Sequence, residues 1–254
     1  MEPVTYERRG AAAVVTIDRQ ERRNAIDGAT AGLLGEAYER FEADEEARVL
    51  IFAGAGGVSF CAGADLKAIE SFGPRLDDPR GPLGMSRVIS SKPTIAAISG
   101  WCLAGGLELA LWCDLRIATG ESRLGFPERR WGVPLIDGGT QRLPRIVGLG
   151  RALELILTGR IIDAEESLAI GLVTEIVPAG RHLERALEIA DALARFPQDT
   201  MLADRRAAIE GVGLTFTEGL ALEALNGRAT LDTAWRGAAR FAGGEGRGGA
   251  GAGA

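Results

Sequence analysis

Two glutamates stand where a carboxyl is unexpected. Glu108 lies inside "WCLAGGLELALWCDLRIA" (101–118), an almost wholly apolar stretch, directly behind Gly105 and Gly106. If a helix runs from about Ala104 to Cys113, the neighbours of Glu108 on its own face are Gly105, Leu111 and Trp112, none of them polar. The plain reading is a lone exposed or snorkelling Glu, or one answering the helix dipole. The chemical reading is a carboxyl at the rim of an apolar pocket, where lost hydration raises its pKa and suits it to carry a proton. Glu128 follows Pro127 in "FPERRWG". Pro127 fits the first position of a short helix, so Glu128 is either a dipole-favoured first-turn residue or a second proton carrier.

Elimination favours carboxylates. The chain has one histidine, His182, in the charged amphipathic segment "RHLERALEIADALARF", where a solvated position is expected. Neither a Ser-His-Asp or Cys-His nucleophile nor a His-rich zinc site can be built from it. Tyrosine is scarce, with only Tyr6 and Tyr38. Proton transfer therefore falls to carboxylates, Lys or Tyr, with carboxylates the leading candidates.

The glycines suggest what the carboxyls serve. At a helix start the N–H groups of Gly105 and Gly106 have no internal partner, and without side chains they admit a ligand oxygen. "FCAGADL" offers a second small-residue turn at Ala62-Gly63-Ala64. One N–H from each turn can make an oxyanion hole, although small residues in such turns also serve simply as tight turns.

The surrounding pattern is that of an α/β core. "AAAVVTIDR" (11–19), "RVLIFAGAGG" (48–57), "SKPTIAAISGW" (91–101) and the stretch around "DLRIA" read as strands. Asp27 caps a helix to about Glu42 with Leu33, Leu34, Ala37, Tyr38 and Phe41 on one face. The Pro/Gly/Asp-rich segment 73–84 is a long loop, and 125–148 is loop and short helix. A helix follows at "GRALELILTGR", and "IDAEESLAIGLVTEIV" is another short helix followed by a strand. From about 181 onward only helices are expected. The division is a core over 1–195, a helical region over 196–242 and a disordered Gly/Ala-rich tail over 243–254. Strands alternating with helices mean parallel pairing.

Totals bound the alternatives. At 254 residues with net charge −6, and with no basic cluster interleaved with aromatics, the chain lacks a nucleic-acid surface. No apolar run reaches a membrane span, since Glu108, Asp114 and Arg116 break the best one. The N-terminus is charged and lacks an apolar signal core, so a cytoplasmic protein is expected. Cys61, Cys102 and Cys113 are odd in number, without CxxC spacing, and read as small buried residues rather than bridges or metal ligands. Phosphate-cradling GxxxxGK[ST] and strand-to-helix GxGxxG motifs are missing.

Taken together, "FCAGADL", "KPTIAAISGWCLAGGLELALWCDLRIA", "LGFPERRWGV", "GGTQRLPRIVG" and "LTGRIIDAEESLAIGLVTEIV" resemble, in order and spacing, the enoyl-CoA hydratase/isomerase (crotonase) family over roughly residues 3–245. The resemblance implies a spiral of ββα units with a C-terminal helical trimerisation region. It also implies a homotrimer, or a hexamer built as a dimer of trimers. It implies an acyl-CoA thioester ligand, with coenzyme A entering as part of the substrate and no other cofactor. By motif position, the N–H groups of Ala62 and Gly105 correspond to the oxyanion hole. Ala25, Ala64, Asp65 and Leu66 correspond to the CoA-binding positions. Glu108 and Glu128 match the two glutamates that hold and activate water in hydratases.

The implied reaction is reversible hydration of a 2-enoyl-CoA to a 3-hydroxyacyl-CoA. An isomerase, another acyl-CoA reaction of the family and a non-catalytic acyl-CoA binder are the alternatives. One stretch departs from the pattern. Where many hydratases read P-G-x-G-G-T, this chain reads "PLIDGGT", with Ile136 in a glycine's place and Asp137 as an added acid. Either Asp137 braces the turn, or it is a third carboxyl at the acyl end beside Ile136.

Overall fold

A computed structural model describes residues 2–245 and divides the chain into two packed units, which meet in sequence between Ala190 and Asp191. The division falls inside a helix, a few residues before the boundary at 195 expected from sequence. Most of the expected tail, residues 246–254, lies outside the described residues, and Gly243–Glu245 form a turn.

The first unit is built on strands whose residues are apolar on both faces, as parallel sheets require. Its large sheet contains β1 (Val4–Arg9), β2 (Ala12–Ile17), β3 (Val49–Gly54), β5 (Thr94–Ile98), β7 (Leu115–Thr119) and β10 (Glu175–Val177), in the order β1-β2-β3-β5-β7-β10. Only the β1–β2 pair is antiparallel. Every residue of β3 and β5 is buried. The smaller sheet holds β4 (Ser59–Cys61), β6 (Trp101–Leu103), β8 (Arg123–Gly125) and β9 (Ile161–Asp163), in that order. Only β8–β9 is antiparallel.

Chain order explains the two sheets. A long strand in the large sheet is followed by a three-residue strand in the small one and then by a helical return. This happens three times: β3, β4 and the 3-10 segment Leu66–Arg75; β5, β6 and a helix; β7, β8 and the 3-10 turn Pro127–Trp131. These are the expected ββα units.

The helices of this unit are α1 (Gly28–Ala43), α2 (Gly105–Trp112), α3 (Gly139–Val147), α4 (Leu149–Thr158), α5 (Ala164–Ala169) and most of α6 (His182–Arg195). The Asp27 carboxylate caps α1, accepting from Thr30 N–H at 2.8 Å, and Leu34, Ala37 and Phe41 face the core as the spacing predicts. Apart from Glu108, helix α2 is apolar all round and accordingly enclosed, with only Gly105 not buried. Burying each of Leu107, Leu109 and Leu111 contributes about 1.5–3 kcal/mol. Gly106 lets α2 pack against β4: a Cβ there would stand 2.2 Å from the Cys61 carbonyl oxygen. The second unit holds α7 (Gln198–Glu210), α8 (Phe216–Arg228) and α9 (Leu231–Ala242). Thr215 and Glu218 form a reciprocal capping box at the start of α8.

Candidate active site

The two small-residue turns meet. Gly63 has φ +92°, a backbone that side chains rarely adopt, and a Cβ on it would lie 2.9 Å from Gly105 N. Conversely, a Cβ on Gly105 would lie 3.7 Å from Ala64 N. Ala104, the residue before α2, is a non-glycine at φ 53° and ψ −127°. Such backbone costs about 1–3 kcal/mol and persists where the surroundings enforce it, often at functional sites.

Pairing decides which N–H of the first turn is free. Ala62 N–H donates to the Arg23 carbonyl at 3.1 Å, so it cannot serve a ligand as the sequence reading expected. Ala64 sits at the centre of a parallel bridge to Ile26. In that bridge Ile26 N–H donates to Gly63 C=O at 2.8 Å and Asp65 N–H to Ile26 C=O at 2.7 Å. The N–H of the central residue points the other way. Ala64 N–H and Gly105 N–H make no hydrogen bond among the described residues, and both residues line one cavity. The pair of unengaged N–H groups is therefore that of Ala64 with Gly105.

That cavity, of about 580 Å³, lies wholly within the first unit. Its wall is mostly apolar, including Leu66, Ile69, Phe72, Leu83, Trp131 and Ile136. Three deeply buried carboxyls, Glu108, Glu128 and Asp137, face it, at 2%, 6% and 5% exposure. Oε1 of Glu108 accepts from Asp137 N–H at 3.0 Å and from Gly139 N–H at 2.8 Å. Gly139 lets the turn approach closely, since a Cβ there would stand 3.0 Å from the Glu108 side chain. With Oε1 committed to two donors, a proton on Glu108 belongs on Oε2.

Burial, chiefly, pushes the Glu108 pKa up to about 8. The charges of Asp137 and Glu128 add to the rise, and the two N–H donors oppose it. Neither carboxyl oxygen of Glu128 has a hydrogen-bond partner. Burial raises its pKa to about 7, against the smaller pull of its own N–H and of Arg129. Between those two values the pair holds one proton.

The remaining expected residues divide. Ala64 and Leu66 line the cavity, as do Ile136 and Asp137. Ala25 and Asp65 do not. Asp65 is committed to Arg19 at 3.1 Å and caps the following 3-10 segment through Lys67 N–H at 3.1 Å, while Arg19 also holds the Ala25 carbonyl. Sequence reasoning missed Ser86 and Arg142, which bind Asp137: Ser86 lies in no recognisable motif, and Arg142, although inside "GGTQRLPRIVG", carries no local signal that it meets Asp137. His182 is half-buried rather than solvated, and burial lowers its pKa. It does not line the cavity.

The chain is similar to known proteins of one family. The family profile described as enoyl-CoA hydratase/isomerase matches residues 7–243. A probable enoyl-CoA hydratase of Rhizobium meliloti (strain 1021) is 37% identical over 228 residues, 87% of each chain. A short-chain-enoyl-CoA hydratase of Clostridium acetobutylicum is 37% identical over 224 residues, 87% of this chain and 86% of the other. The crystal structure of enoyl-CoA hydratase EchA1 from Mycobacterium marinum superimposes with a TM-score of 0.88 at 34% identity, covering 95% of this chain and 96% of that one.

Proposed function

The chain belongs to the enoyl-CoA hydratase/isomerase family, and on that premise we propose that it adds water reversibly to a 2-enoyl-CoA thioester, giving the 3-hydroxyacyl-CoA. One observation carries the reading. Two deeply buried carboxyls, Glu108 and Glu128, share an apolar cavity with two unengaged backbone N–H groups, and burial raises the pKa of each carboxyl.

The steps follow from the residues. The thioester oxygen accepts from Ala64 N–H and Gly105 N–H, which draws electrons from the double bond and leaves C3 electrophilic. Water lies between Glu108 and Glu128. The carboxylate of the pair takes a water proton as the oxygen bonds to C3, and the π electrons move to the thioester oxygen as an enolate. The carboxylic acid of the pair gives its proton to C2, the carbonyl re-forms, and the pair again holds one proton. Such donors act most strongly where water is excluded, and losing one costs about 10²–10³ in rate. Hydration changes no net oxidation state, so the reading needs no cofactor beyond the coenzyme A that the substrate carries.

Ala64 and Leu66 support a CoA path along that edge of the cavity, with Ala25 and Asp65 behind them as the support of the turn. For assembly we favour a homotrimer or a hexamer. Phe216, Leu225, Trp235 and Phe241 of the second unit are large apolar side chains left exposed, which light scattering in solution can match to a subunit number. We place the protein in the cytoplasm. Its three cysteines are free and buried, and among the described residues no helix is long and apolar enough to cross a membrane.

The test is incubation with a panel of 2-enoyl-CoAs in H₂¹⁸O, read by mass spectrometry. The native chain incorporates label, and Glu108→Gln and Glu128→Gln each lower the rate by several orders of magnitude. Full hydration by the double variant refutes the mechanism. Migration of a 3-enoyl double bond without label marks an isomerase instead.

A further inference from the structure

Asp137 is tied on three sides. Its Oδ1 accepts from Leu83 N–H at 3.0 Å and from the Ser86 hydroxyl. Its carbonyl accepts from Arg142 Nη1 at 2.8 Å, and Nη2 of the same guanidinium donates to the Ser86 carbonyl. Its N–H donates to Glu108 Oε1 at 3.0 Å. One residue thus holds both the loop that brings Leu83 into the cavity wall and the oxygen that orients Glu108. A carboxylate is an expensive brace in a nearly dry site, where an amide or hydroxyl could accept the same two bonds. Burial raises the Asp137 pKa, while the Ser86 hydroxyl, Leu83 N–H and the guanidiniums of Arg87 and Arg142 favour its ionised form, and that charge is what those substitutes would lack.

We propose that Asp137 is a positioning residue with two separable actions: its acceptor oxygen fixes the acyl wall through Leu83 and Ser86, and its charge adds to the burial that keeps a proton on Glu108. The proposal rests on the hydratase reading of Glu108. The charged groups around the pair are few. Asp137 and Glu128 face Glu108, with Arg142 of opposite sign close by, and Arg87 and Arg142 face Asp137. Removing the Asp137 charge therefore leaves Glu108 with less repulsion and the same guanidinium.

The experiment measures kcat/KM for hydration of a short and a long straight-chain 2-enoyl-CoA across pH in four proteins: wild type, Asp137→Asn, Asp137→Ala and Ser86→Ala. Asparagine keeps the acceptor and loses the charge. It is expected to move the upper limb of the pH profile down by on the order of one pH unit while holding the long-to-short ratio. Ser86→Ala keeps the charge and removes one of the two wall bonds. It is expected to raise the long-to-short ratio about fivefold, the effect of one lost hydrogen bond, with the pH limb in place. Asp137→Ala shows both changes if it folds, and the other two variants decide the matter if it does not. An unmoved pH limb in Asp137→Asn overturns the charge action. An unchanged ratio in Ser86→Ala overturns the wall action. A wild type that hydrates none of the thioesters overturns the underlying hydratase reading, a failure visible before any variant is made.

Discussion

Glu108→Gln should make the protein more stable at alkaline pH while abolishing its activity. The folded chain holds the Glu108 pKa up at about 8, against an ordinary 4.5. Below about pH 4.5 the carboxyl is protonated whether folded or unfolded, and burial carries no penalty. Between 4.5 and about 8 the unfolded chain ionises it and the folded chain does not, so stability falls as pH rises. Above 8 the penalty is complete. That interval, at about 1.4 kcal/mol per pH unit, sets a ceiling of about 5 kcal/mol. At pH 7 the same linkage gives about 3 kcal/mol. Glutamine keeps an Oε1 to accept from Asp137 and Gly139 N–H and has no charge to bury. Urea unfolding at pH 4.5, 7 and 9, at one protein concentration because assembly would add to stability, should show the two proteins nearly equal at the acid end. The variant should lead by several kcal/mol at the alkaline end. Parallel stability curves across that range, or a variant weaker than wild type at pH 9, would refute the claim that this carboxyl is held protonated by burial.

Two adjacent glycines should respond oppositely to the same change. Gly105→Ala meets nothing closer than 3.6 Å and should melt within a few degrees of wild type, yet its methyl intrudes on the oxygen-binding turn and kcat/KM should fall by about 10²–10³. Gly106→Ala puts a Cβ 2.2 Å from the Cys61 carbonyl and should lower Tm sharply or prevent soluble expression; equal melting of the two variants contradicts the packing of α2 on β4. The pH profile of kcat/KM for hydration should be a narrow bell with limbs near 7 and 8, belonging to the pair rather than to either residue, and a flat profile over that range would exclude a one-proton dyad.

What the sequence revealed follows from length and locality. The strands of the large sheet are legible because β3 and β5 are long apolar runs, and α1 because Asp27 and its apolar face are local signals. The small sheet is not legible, because three residues such as Ser59–Cys61 or Arg123–Gly125 cannot display a period. β1 escaped for a different reason: its charged, largely exposed residues conceal a strand that only pairing with β2 reveals. Glu108 stands out because everything near it in sequence is apolar. Its hydrogen-bond donors do not, since they arrive from the start of α3. The error at Ala62 has the same origin. Which N–H of "CAGA" is free depends on Arg23 and Ile26, a pairing no local motif encodes. For Asp137 the sequence posed a choice between a brace and a third carboxyl, and the geometry makes it both.

The order of the two glutamates shows which force governs the site. Two backbone N–H donors on one carboxylate oxygen ordinarily hold a carboxyl below its usual pKa. Glu108 has both donors and Glu128 has no hydrogen-bond partner, yet Glu108 lies higher, at about 8 against about 7. Desolvation is the largest cause for each, and Glu108 is the more deeply buried and carries the added repulsion of Asp137 and Glu128. The donors therefore do not determine its charge at neutral pH; they determine its direction, leaving Oε2 to hold the proton. Charge state comes chiefly from the apolar helix that buries the carboxyl, with the Asp137 charge adding to it, and aim comes from the Asp137–Gly139 turn. This division is why a glutamate can sit within the chain's most apolar segment and still exchange protons with a ligand.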